Sequence, residues 1–509
     1  MSPRSRYLHL PWLLGSLLLA LQLSFLAGPG IEEDEALFVT PFLRGPSSLY
    51  EWRWGALHIP VMSMDYLGAL KSWLYWPVFR VWHPGVWSMR APACVLSVVT
   101  LLLFVDVARR VAGRRVGLAA AAILATDAVF VLINVFDMTV CLLLLATVAF
   151  LWFLQRGWLG AAFFLAGLAL WYKAIFLFPL AAMLLGFAVA YSSQVRRWLT
   201  LPNIAVAAAG IALGCAPLIA FNVARRGATF QASQDLPGVP AGEKLVMLEH
   251  TLDGRAFEHY MFRSTPDEKL TLAGTSMADV VVGWYGESHF GPGSALLPAL
   301  LLALLALPFL RRSSLFPALV FSWVSAGAAY AAMLFFRDAG AGPHHTVLLD
   351  PAPQFIVAAS AAALAERWRA GRSAALLVLC VVVAGSNLWL LSRYWQAAHT
   401  NGFSVYWTDG VRNLANVLRA QSLPVAPLEW GTRNGVQIEA GNTLIFVADT
   451  SPRENVLYVT HCEGYVIDPK RAALFEQSAA AAGLHEMANR VVADSKGHLV
   501  YCVFQLAKD

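Results

Sequence analysis

Four consecutive acidic side chains form the first candidate site. Glu32, Glu33, Asp34 and Glu35 stand in the stretch IEEDEALF, shortly after an apolar run at 8–27. Acids are costly within a bilayer, and those retained beside it usually have a partner or a task. A carboxylate at the water–lipid boundary can serve as a general base toward a polar acceptor. We therefore predict that Asp34 and Glu35 are catalytic, and we interpret Glu32 and Glu33 as loop charges.

Three further polar sites occur where apolar runs end. They are Asp137 in NVFDMT, Lys173 in WYKAIFLFP, and the segment FFRDAGAGPHHTVLLDPAPQFIVA, which contains Arg337, Asp338, His344, His345 and Asp350. Lysine, arginine and histidine can neutralise a phosphate, and arginine offers a bidentate fork for it. An acid together with these cations at a lipid surface predicts transfer from a lipid phosphate.

Each of these residues also has a purely structural interpretation. Asp137 stands where an aspartate could cap the following helix, and Lys173 could extend its ammonium group to lipid head groups. His344 and His345 could be interfacial side chains, although an adjacent pair beside Arg337 in a Gly/Pro-rich loop favours a function. Asp127 falls within an apolar run and is given no role.

The composition indicates a polytopic α-helical membrane protein. Of the 509 residues, 58% are hydrophobic and only 14% are charged, and the mean hydropathy is +0.58. Soluble proteins carry about 25% charged residues. The net charge of +5 comes from short basic clusters between apolar runs, which indicates membrane topology and argues against a nucleic-acid surface.

The basic clusters divide the chain into spans, each of which needs about 20 apolar residues. Because basic residues concentrate on the cytoplasmic side, the N-terminus is predicted to be cytoplasmic and the first run a retained anchor, in preference to a cleaved signal peptide. The loops 28–90 and 224–294 are then outside, and aromatic-rich amphipathic helices are predicted on the membrane surface at 66–82. The predicted spans, about eleven in number, are 8–27, 91–108, 116–135, 138–154, 158–172, 174–191, 203–223, 295–310, 315–336, 347–364 and 374–391.

The region 394–509 is predicted to be a soluble, exported α/β domain. Apolar spacing predicts helices at 408–421 and 470–482 and strands at 444–448, 455–460 and 498–506. Cys462 and Cys502 lie in this region and could form a disulfide if it is exported. The other four cysteines lie in apolar runs and are predicted to be buried without a partner.

The order and sidedness of these motifs resemble the GT-C fold glycosyltransferases. More specifically, the chain resembles bacterial members of the protein O-mannosyltransferase and aminoarabinose-transferase superfamily. The resemblance rests on DEALF after the first span, VFDMT after a later outgoing span, YKAIFLFP at a turn, and RDAGAGPHHTVLLDPAPQFIVA. It covers nearly the whole membrane part, 1–393, whereas the C-terminal domain resembles that superfamily only in its position.

This resemblance implies an inverting transferase that moves a hexosyl or pentosyl unit from a polyprenyl-phosphate donor to an acceptor hydroxyl. The reaction would take place at the periplasmic face of a bacterial inner membrane. Asp34 would be the base, and Glu35 would support it or bind a metal ion. Five residues would hold the donor phosphate, directly or through a divalent cation: Asp137, Lys173, Arg337, His344 and His345.

A divalent cation bound by Glu35, His344 and His345 is permitted by this pattern but not required. The acceptor could be a protein, a lipid or a glycan, and fold analogy does not choose among them. The oligomeric state is also left open.

Two other classes of function fit the composition. A lipid or glycan transporter would have internal repeats and Gly/Pro-broken helices that meet near mid-membrane, whereas we find no internal repeat and predict unbroken spans. A non-catalytic anchor that presents an exported sensor domain would leave the acids of the first loop unexplained. We therefore prefer the transferase.

Overall fold

The computed structural model describes residues 9–44, 48–235, 238–258, 260–263, 265, 291–368, 371–429, 431–447, 449–462 and 469–508. These residues are mostly helical, with one small sheet in the first loop and another in the C-terminal region. The largest cluster of buried apolar side chains extends from Leu18 to Trp407.

The helices of the first half of the chain are α1 (Leu10–Phe25), α2 (Glu33–Ala36), α3 (Leu70–Val81), α4 (Val86–Ala112), α5 (Arg114–Thr126), α6 (Ala128–Phe136), α7 (Cys141–Leu154), α8 (Leu159–Tyr172), α9 (Leu177–Ala190), α10 (Ser192–Trp198), α11 (Leu201–Gly214), α12 (Ala216–Ala224), α13 (Ala228–Asp235) and α14 (Ala241–Leu252). Those of the second half are α15 (Leu296–Ala306), α16 (Phe316–Phe335), α17 (Pro343–Thr346), α18 (Ala352–Arg367), α19 (Arg372–Thr400), α20 (Gly410–Arg419), α21 (Arg433–Glu439) and α22 (Pro469–Ala481).

Several of these helices suit a bilayer. Within the described ranges, four are long and apolar enough to cross a membrane, namely α4, α16, the stretch Pro343–Arg367 and α19. Three pairs of consecutive helices could each form one further membrane span with a bend in it. The bend is 60° between α5 and α6, 110° between Ala174–Ala190 and α10, and 64° between α11 and α12. Every predicted span overlaps one of these or a shorter apolar helix. The bends correct the expectation of unbroken spans.

Glycines allow α8 and α11 to pack in close contact. A Cβ atom at Gly214 would lie 2.2 Å from the carbonyl oxygen of Phe164, and one at Gly167 would lie 2.5 Å from that of Ile211. Small residues let helix backbones approach closely inside a membrane, where dispersion contacts drive helix association. This contact fixes the position of α8, which ends immediately before Lys173.

The first loop contains a sheet that the sequence did not predict. The strands β1 (Tyr50–Trp54) and β2 (Leu57–Met64) form an antiparallel hairpin, and β3 (Leu67–Gly68) pairs with β2. The hairpin turns at Gly55, whose φ of +59° is readily adopted by glycine.

The helix predicted within 66–82 is confirmed as α3, and its exposed tryptophans suit a membrane interface.

The C-terminal region begins after α19, which continues to Thr400. Its strands β4 (Val425–Pro427), β5 (Leu457–His461), β6 (Leu484–Ala493) and β7 (Leu499–Lys508) form a sheet in the order β4-β5-β7-β6, with β4 and β5 parallel. The helix α20 is amphipathic and buries Val411, Leu414 and Leu418 in one apolar cluster with this sheet. Of the predicted strand 444–448, Ala448 lies outside the described residues, and Phe446 forms only an isolated bridge.

A disulfide joins Cys462 to Cys502. The antiparallel pairing of β5 with β7 brings the two cysteines together, because the N–H of Cys462 donates to the carbonyl of Val500 at 2.8 Å. The other four cysteines are free; Cys94, Cys141 and Cys215 are buried as predicted, whereas Cys380 is only half-buried. Oxidation of this pair is consistent with the predicted export of the region.

Replacing both Cys462 and Cys502 by serine is expected to lower the unfolding free energy of the C-terminal region by about 2–4 kcal/mol, because the disulfide restricts the unfolded chain. The measurement is thermal unfolding of the purified protein under non-reducing conditions, with the free cysteine variant Cys380→Ser as the control. If alkylation of freshly isolated protein finds Cys462 and Cys502 as free thiols, the pairing and the inferred export are both wrong.

Candidate active site

The acidic stretch folds into the short helix α2, which begins with a side-chain cap. The carboxylate of Glu32 accepts the backbone N–H groups of Asp34 at 2.7 Å and Glu35 at 3.3 Å. Such a cap satisfies N–H groups that have no partner at the start of a helix. Glu32 is therefore a structural residue that orients the next three acids, rather than only a loop charge.

The carboxylate of Glu35 is held entirely by Arg90. Two charge-assisted bonds of 2.6 and 2.7 Å join its oxygens to Nε and Nη2, and both side chains are buried. Arg90 also donates to the carbonyls of Leu26 and Gly30, each at 2.7 Å. The ion pair thus ties α2 to the end of α1 and the start of α4, which suits a positioning role for Glu35.

Asp34 differs from its three neighbours. Its side chain is half-buried and, among the described residues, its carboxylate accepts no hydrogen bond and has no cation within 4 Å. Burial raises the pKa of Asp34 above its usual value, and the ammonium group of Lys173 opposes that rise. A carboxylate with unoccupied oxygens and a raised pKa is suited to accepting a proton.

Lys173 stands at the centre of the predicted site residues. Its buried Nζ donates to Thr139 Oγ1 at 2.7 Å and to the carbonyl of Met138 at 3.4 Å. Burial lowers the pKa of Lys173, while nearby acids, Asp34 first among them, oppose the change. The charge of Lys173 also acts on His344 and His345. The structure therefore brings these predicted residues into one electrostatic neighbourhood.

Asp137 caps a helix, which is the structural role that the sequence allowed for it. Its φ of 29° is rare for a non-glycine residue, and its Oδ1 accepts the N–H groups of Val140 at 2.9 Å and Cys141 at 2.8 Å at the start of α7. Its Oδ2 lies 2.6 Å from Nζ of Lys71. Burial raises the pKa of Asp137, but the Lys71 ammonium and the hydrogen bonds from Cys141 and Lys71 together outweigh it, and the pKa lies below its usual value.

Lys71 was missed in the sequence. It is 1% exposed, and its ammonium also lies 3.5 Å from the ring centroid of Phe38. A lysine within the aromatic segment LKSWLYWPVF was the available signal, because a long basic side chain on an apolar helix needs an acidic or aromatic partner when it is buried.

The segment after α16 contributes the histidine pair. The rings of His344 and His345 are 4.0 Å apart, and the Nδ1 atom of each is buried without a hydrogen-bond partner among the described residues. The side chain of Arg337 is exposed, and its carbonyl accepts the N–H of Val239 at 2.9 Å. Its predicted part in donor binding stays a prediction.

Two buried carboxylates behind this segment share one amide. Nε2 of Gln354 donates to Asp350 at 3.0 Å and to Asp127 at 3.3 Å. Asp127 also caps α6 through the N–H groups of Val129 and Phe130. The acid left without a role in the sequence is thus part of the helix break between α5 and α6.

The metal role predicted for Glu35, His344 and His345 has no matching cluster of ligands in the part of the chain that the structure describes. Within the described ranges, no group of three or more His, Cys, Asp and Glu side chains could hold an ion. The oxygens of Glu35 are both taken by Arg90, and a divalent cation would have to displace that guanidinium. Glu35 is thus already paired, and the metal role of Glu35, His344 and His345 stays a prediction.

A cavity of about 380 Å³ lies among the apolar helices. Helices α4, α7, α9, α16 and α18 contribute mostly apolar lining side chains, including Phe104, Met183 and Phe355. Among the described residues that line it, Asp350 is the one acid, and Trp198 of α10 also belongs to the wall. An apolar cavity of this kind suits part of a hydrocarbon chain.

Comparison with known proteins gives a family match and a fold match. The family model for dolichyl-phosphate-mannose-protein mannosyltransferase matches residues 69–221. This range contains Lys71, Arg90, Asp137 and Lys173, but not the acidic stretch. A search of curated proteins by sequence gives no match.

Two solved structures cover nearly the whole chain. ArnT from Cupriavidus metallidurans bound to undecaprenyl phosphate aligns with a TM-score of 0.55 at 12% identity, over 96% of this chain and 97% of that chain. The apo form of the oligosaccharyltransferase from Archaeoglobus fulgidus aligns with a TM-score of 0.51 at 12% identity, over 98% of this chain and 74% of that chain. At such low identity the likeness establishes the fold.

The same oligosaccharyltransferase in complex with Zn and sulfate aligns with a TM-score of 0.51 at 12% identity, over 98% of this chain and 73% of that chain. All three alignments extend over nearly the whole of this chain, in agreement with the fold that the resemblance implied. The chain therefore has the GT-C fold, and its predicted resemblance to membrane glycosyltransferases of the protein O-mannosyltransferase superfamily is confirmed.

Proposed function

We propose that this protein is an inverting glycosyltransferase that moves a sugar from a polyprenyl-phosphate donor to an acceptor hydroxyl. One observation carries the proposal. Of the four acids in the stretch after α1, three are engaged by a cap, an amide or a guanidinium, whereas Asp34 keeps its oxygens available. It does so beside the buried cation Lys173.

The donor fits the chemistry around this carboxylate. A polyprenyl phosphate has an anionic head group and a long apolar chain, so it needs a cation at the membrane surface and an apolar channel. Lys173 supplies a cation near Asp34 and the histidine pair adds polar groups near Lys173, while the apolar cavity that Asp350 helps to line supplies room for part of the chain. ArnT from C. metallidurans, which shares the fold, binds undecaprenyl phosphate.

The reaction follows from these groups. Asp34 accepts the proton of the acceptor hydroxyl, whose oxygen forms a bond to the anomeric carbon of the donor. The bond from that carbon to the phosphate oxygen breaks, and the lipid phosphate leaves with the electron pair. Attack opposite the leaving group inverts the configuration. Lys173 stabilises the negative charge that develops on the phosphate, and no step is assigned to a metal ion.

We place the site at the periplasmic face of a bacterial inner membrane. The positive-inside rule supports eleven spans, a cytoplasmic N-terminus and an exported region 394–509. The disulfide of that region favours the same orientation. The short helix α10 carries Arg196 and Arg197 and bends by 110° from the preceding helix, as expected for an interfacial helix on the cytoplasmic side.

The test is donor turnover by the purified protein in lipid nanodiscs. Polyprenyl-phosphate hexoses and pentoses are supplied with peptide, lipid and glycan acceptors, and release of polyprenyl phosphate is measured together with the anomeric configuration of the product. Release that depends on an acceptor and inverts the configuration is expected. Movement of intact donor lipid between leaflets of sealed vesicles, without release, would establish a transporter instead.

Lys173→Met is expected to shift the acid limb of the pH–rate profile to higher pH. Lys173 lowers the pKa of Asp34, so removing its charge lets that pKa rise further, and the base becomes protonated at a higher pH. Lys244→Met is the matched control, because Lys244 is also buried but binds the carbonyls of Met333 and Phe336. An unchanged acid limb in Lys173→Met would contradict the assigned coupling.

A further inference from the structure

The C-terminal region contacts the acidic helix directly. The backbone N–H of Asn434, in α21, donates to Oε2 of Glu33 at 3.3 Å, and its side-chain Nδ2 donates to Oε1 of the same carboxylate. Glu33 is buried, and 401 residues separate it from Asn434 in the chain. The residue directly before Asp34 is thus held by the far end of the protein.

Close packing accompanies these hydrogen bonds. A Cβ atom at Gly435 would lie 2.5 Å from the carbonyl oxygen of Ile31, so only glycine lets α21 approach this near. Ile438 lies one turn further along α21 and belongs to one apolar cluster with Ile31, Ala36 and Phe38. Hydrogen bonds and apolar contacts therefore come from the same face of α21.

The helix α2 is too short to be stable without contacts from the rest of the protein. It has four residues, and a helix of this length gains too few hydrogen bonds to offset the entropy of ordering it. One anchor is the Glu35–Arg90 ion pair from the membrane part. The other is the Glu33–Asn434 contact from the C-terminal region. Asp34 stands between the two anchored residues.

We propose that the C-terminal region sets the position of Asp34 through α21, with Asn434 and Gly435 as positioning residues. This inference rests on the proposed function of Asp34 as the base. Neither residue needs to touch the substrate. An error of about 1 Å in the placement of a reacting group can reduce a rate by about 10²-fold, so the contact is expected to affect kcat far more than donor binding.

A reversal of the hydrogen bond tests the proposal. Asn434→Asp removes the amide donor and sets a second carboxylate against Glu33, so kcat is expected to fall by about 10²-fold with little change in the KM for the donor. Combining it with Glu33→Gln restores an amide–carboxylate bond in the opposite direction. The double variant is therefore expected to recover most of the lost kcat, which a general loss of folding would not permit.

Asn413→Asp is the matched control. Asn413 also uses its Nδ2 atom within the C-terminal region, where it donates to the carbonyl of Ala493 at 2.8 Å, but it lies on the exposed face of α20. Its kcat is expected to stay at the wild-type value. Equal kcat in wild type and Asn434→Asp, or a double variant no better than the single one in well-folded protein, would overturn the proposal.

Hydrogen exchange separates this inference from the proposed function. The amides of Asp34, Glu35 and Ala36 are bonded to Glu32, so Asn434→Asp and Gly435→Ala are expected to speed their exchange, and adding Glu33→Gln to Asn434→Asp is expected to slow it again. This readout does not depend on turnover. If the wild type has no transferase activity, the proposed function fails; if exchange at these amides is unaffected by both variants, the positioning role fails.

Discussion

Asp34→Asn is expected to reduce kcat by about 10³-fold while expression, thermal stability and donor binding stay near the wild-type values. General-base catalysis contributes about 10²–10⁴-fold to enzymatic rates, and an amide of the same shape cannot accept the acceptor proton. Because the carboxylate of Asp34 has no hydrogen-bond partner among the described residues, its replacement leaves no protein group unsatisfied. The measurement is release of polyprenyl phosphate under single-turnover conditions.

Glu51→Gln is the control for this substitution. Glu51 is an acid of the same loop, but its carboxylate pairs with His58 on the hairpin. Its variant is expected to keep wild-type turnover.

The acid limb of the wild-type pH–rate profile should lie above the ordinary pKa of an aspartate, since burial raises the pKa of Asp34. Full turnover in Asp34→Asn would move the base to another residue.

Arg90→Met is expected to destabilise the protein by about 3–5 kcal/mol, because it leaves the carboxylate of Glu35 buried without its cation. The guanidinium also binds the carbonyls of Leu26, Pro29 and Gly30, so the connection between α1 and α2 loses its bonds at the same time. Turnover is expected to fall with stability, because α2 carries Asp34. Thermal unfolding in detergent measures the first effect and donor release the second.

Two further variants test whether the effect of Arg90→Met comes from loss of the ion pair with Glu35. Arg80→Met changes an exposed arginine that lies over the ring of Trp76, and it is expected to have a small effect. Adding Glu35→Gln to Arg90→Met removes the unpaired charge and should recover part of the stability. If Arg90→Met unfolds at the wild-type temperature, the ion pair does not hold the loop.

The kind of protein and the residues of its candidate site could be predicted from local patterns. Uninterrupted apolar runs predict helices wherever they occur, so each predicted span overlaps an apolar helix. Asp137 was a candidate helix cap because a cap depends only on the next few residues, and it caps α7. The hairpin of the first loop and β6 were missed, because their polar and aromatic side chains are exposed and leave no clear alternation.

The tertiary structure decided which of four adjacent acids keeps its carboxylate oxygens without a partner among the described residues. The sequence singled out Asp34 and Glu35 together, and nothing in IEEDEALF distinguishes their oxygens. Arg90, which engages Glu35, is 55 residues away, and Asn434, which engages Glu33, is 401 residues away. Local spacing carries no information on such partners, whereas the fold brings them within hydrogen-bond distance. The sequence therefore determined where the candidate carboxylates lie, and packing alone left Asp34, among the four, as the one with open oxygens.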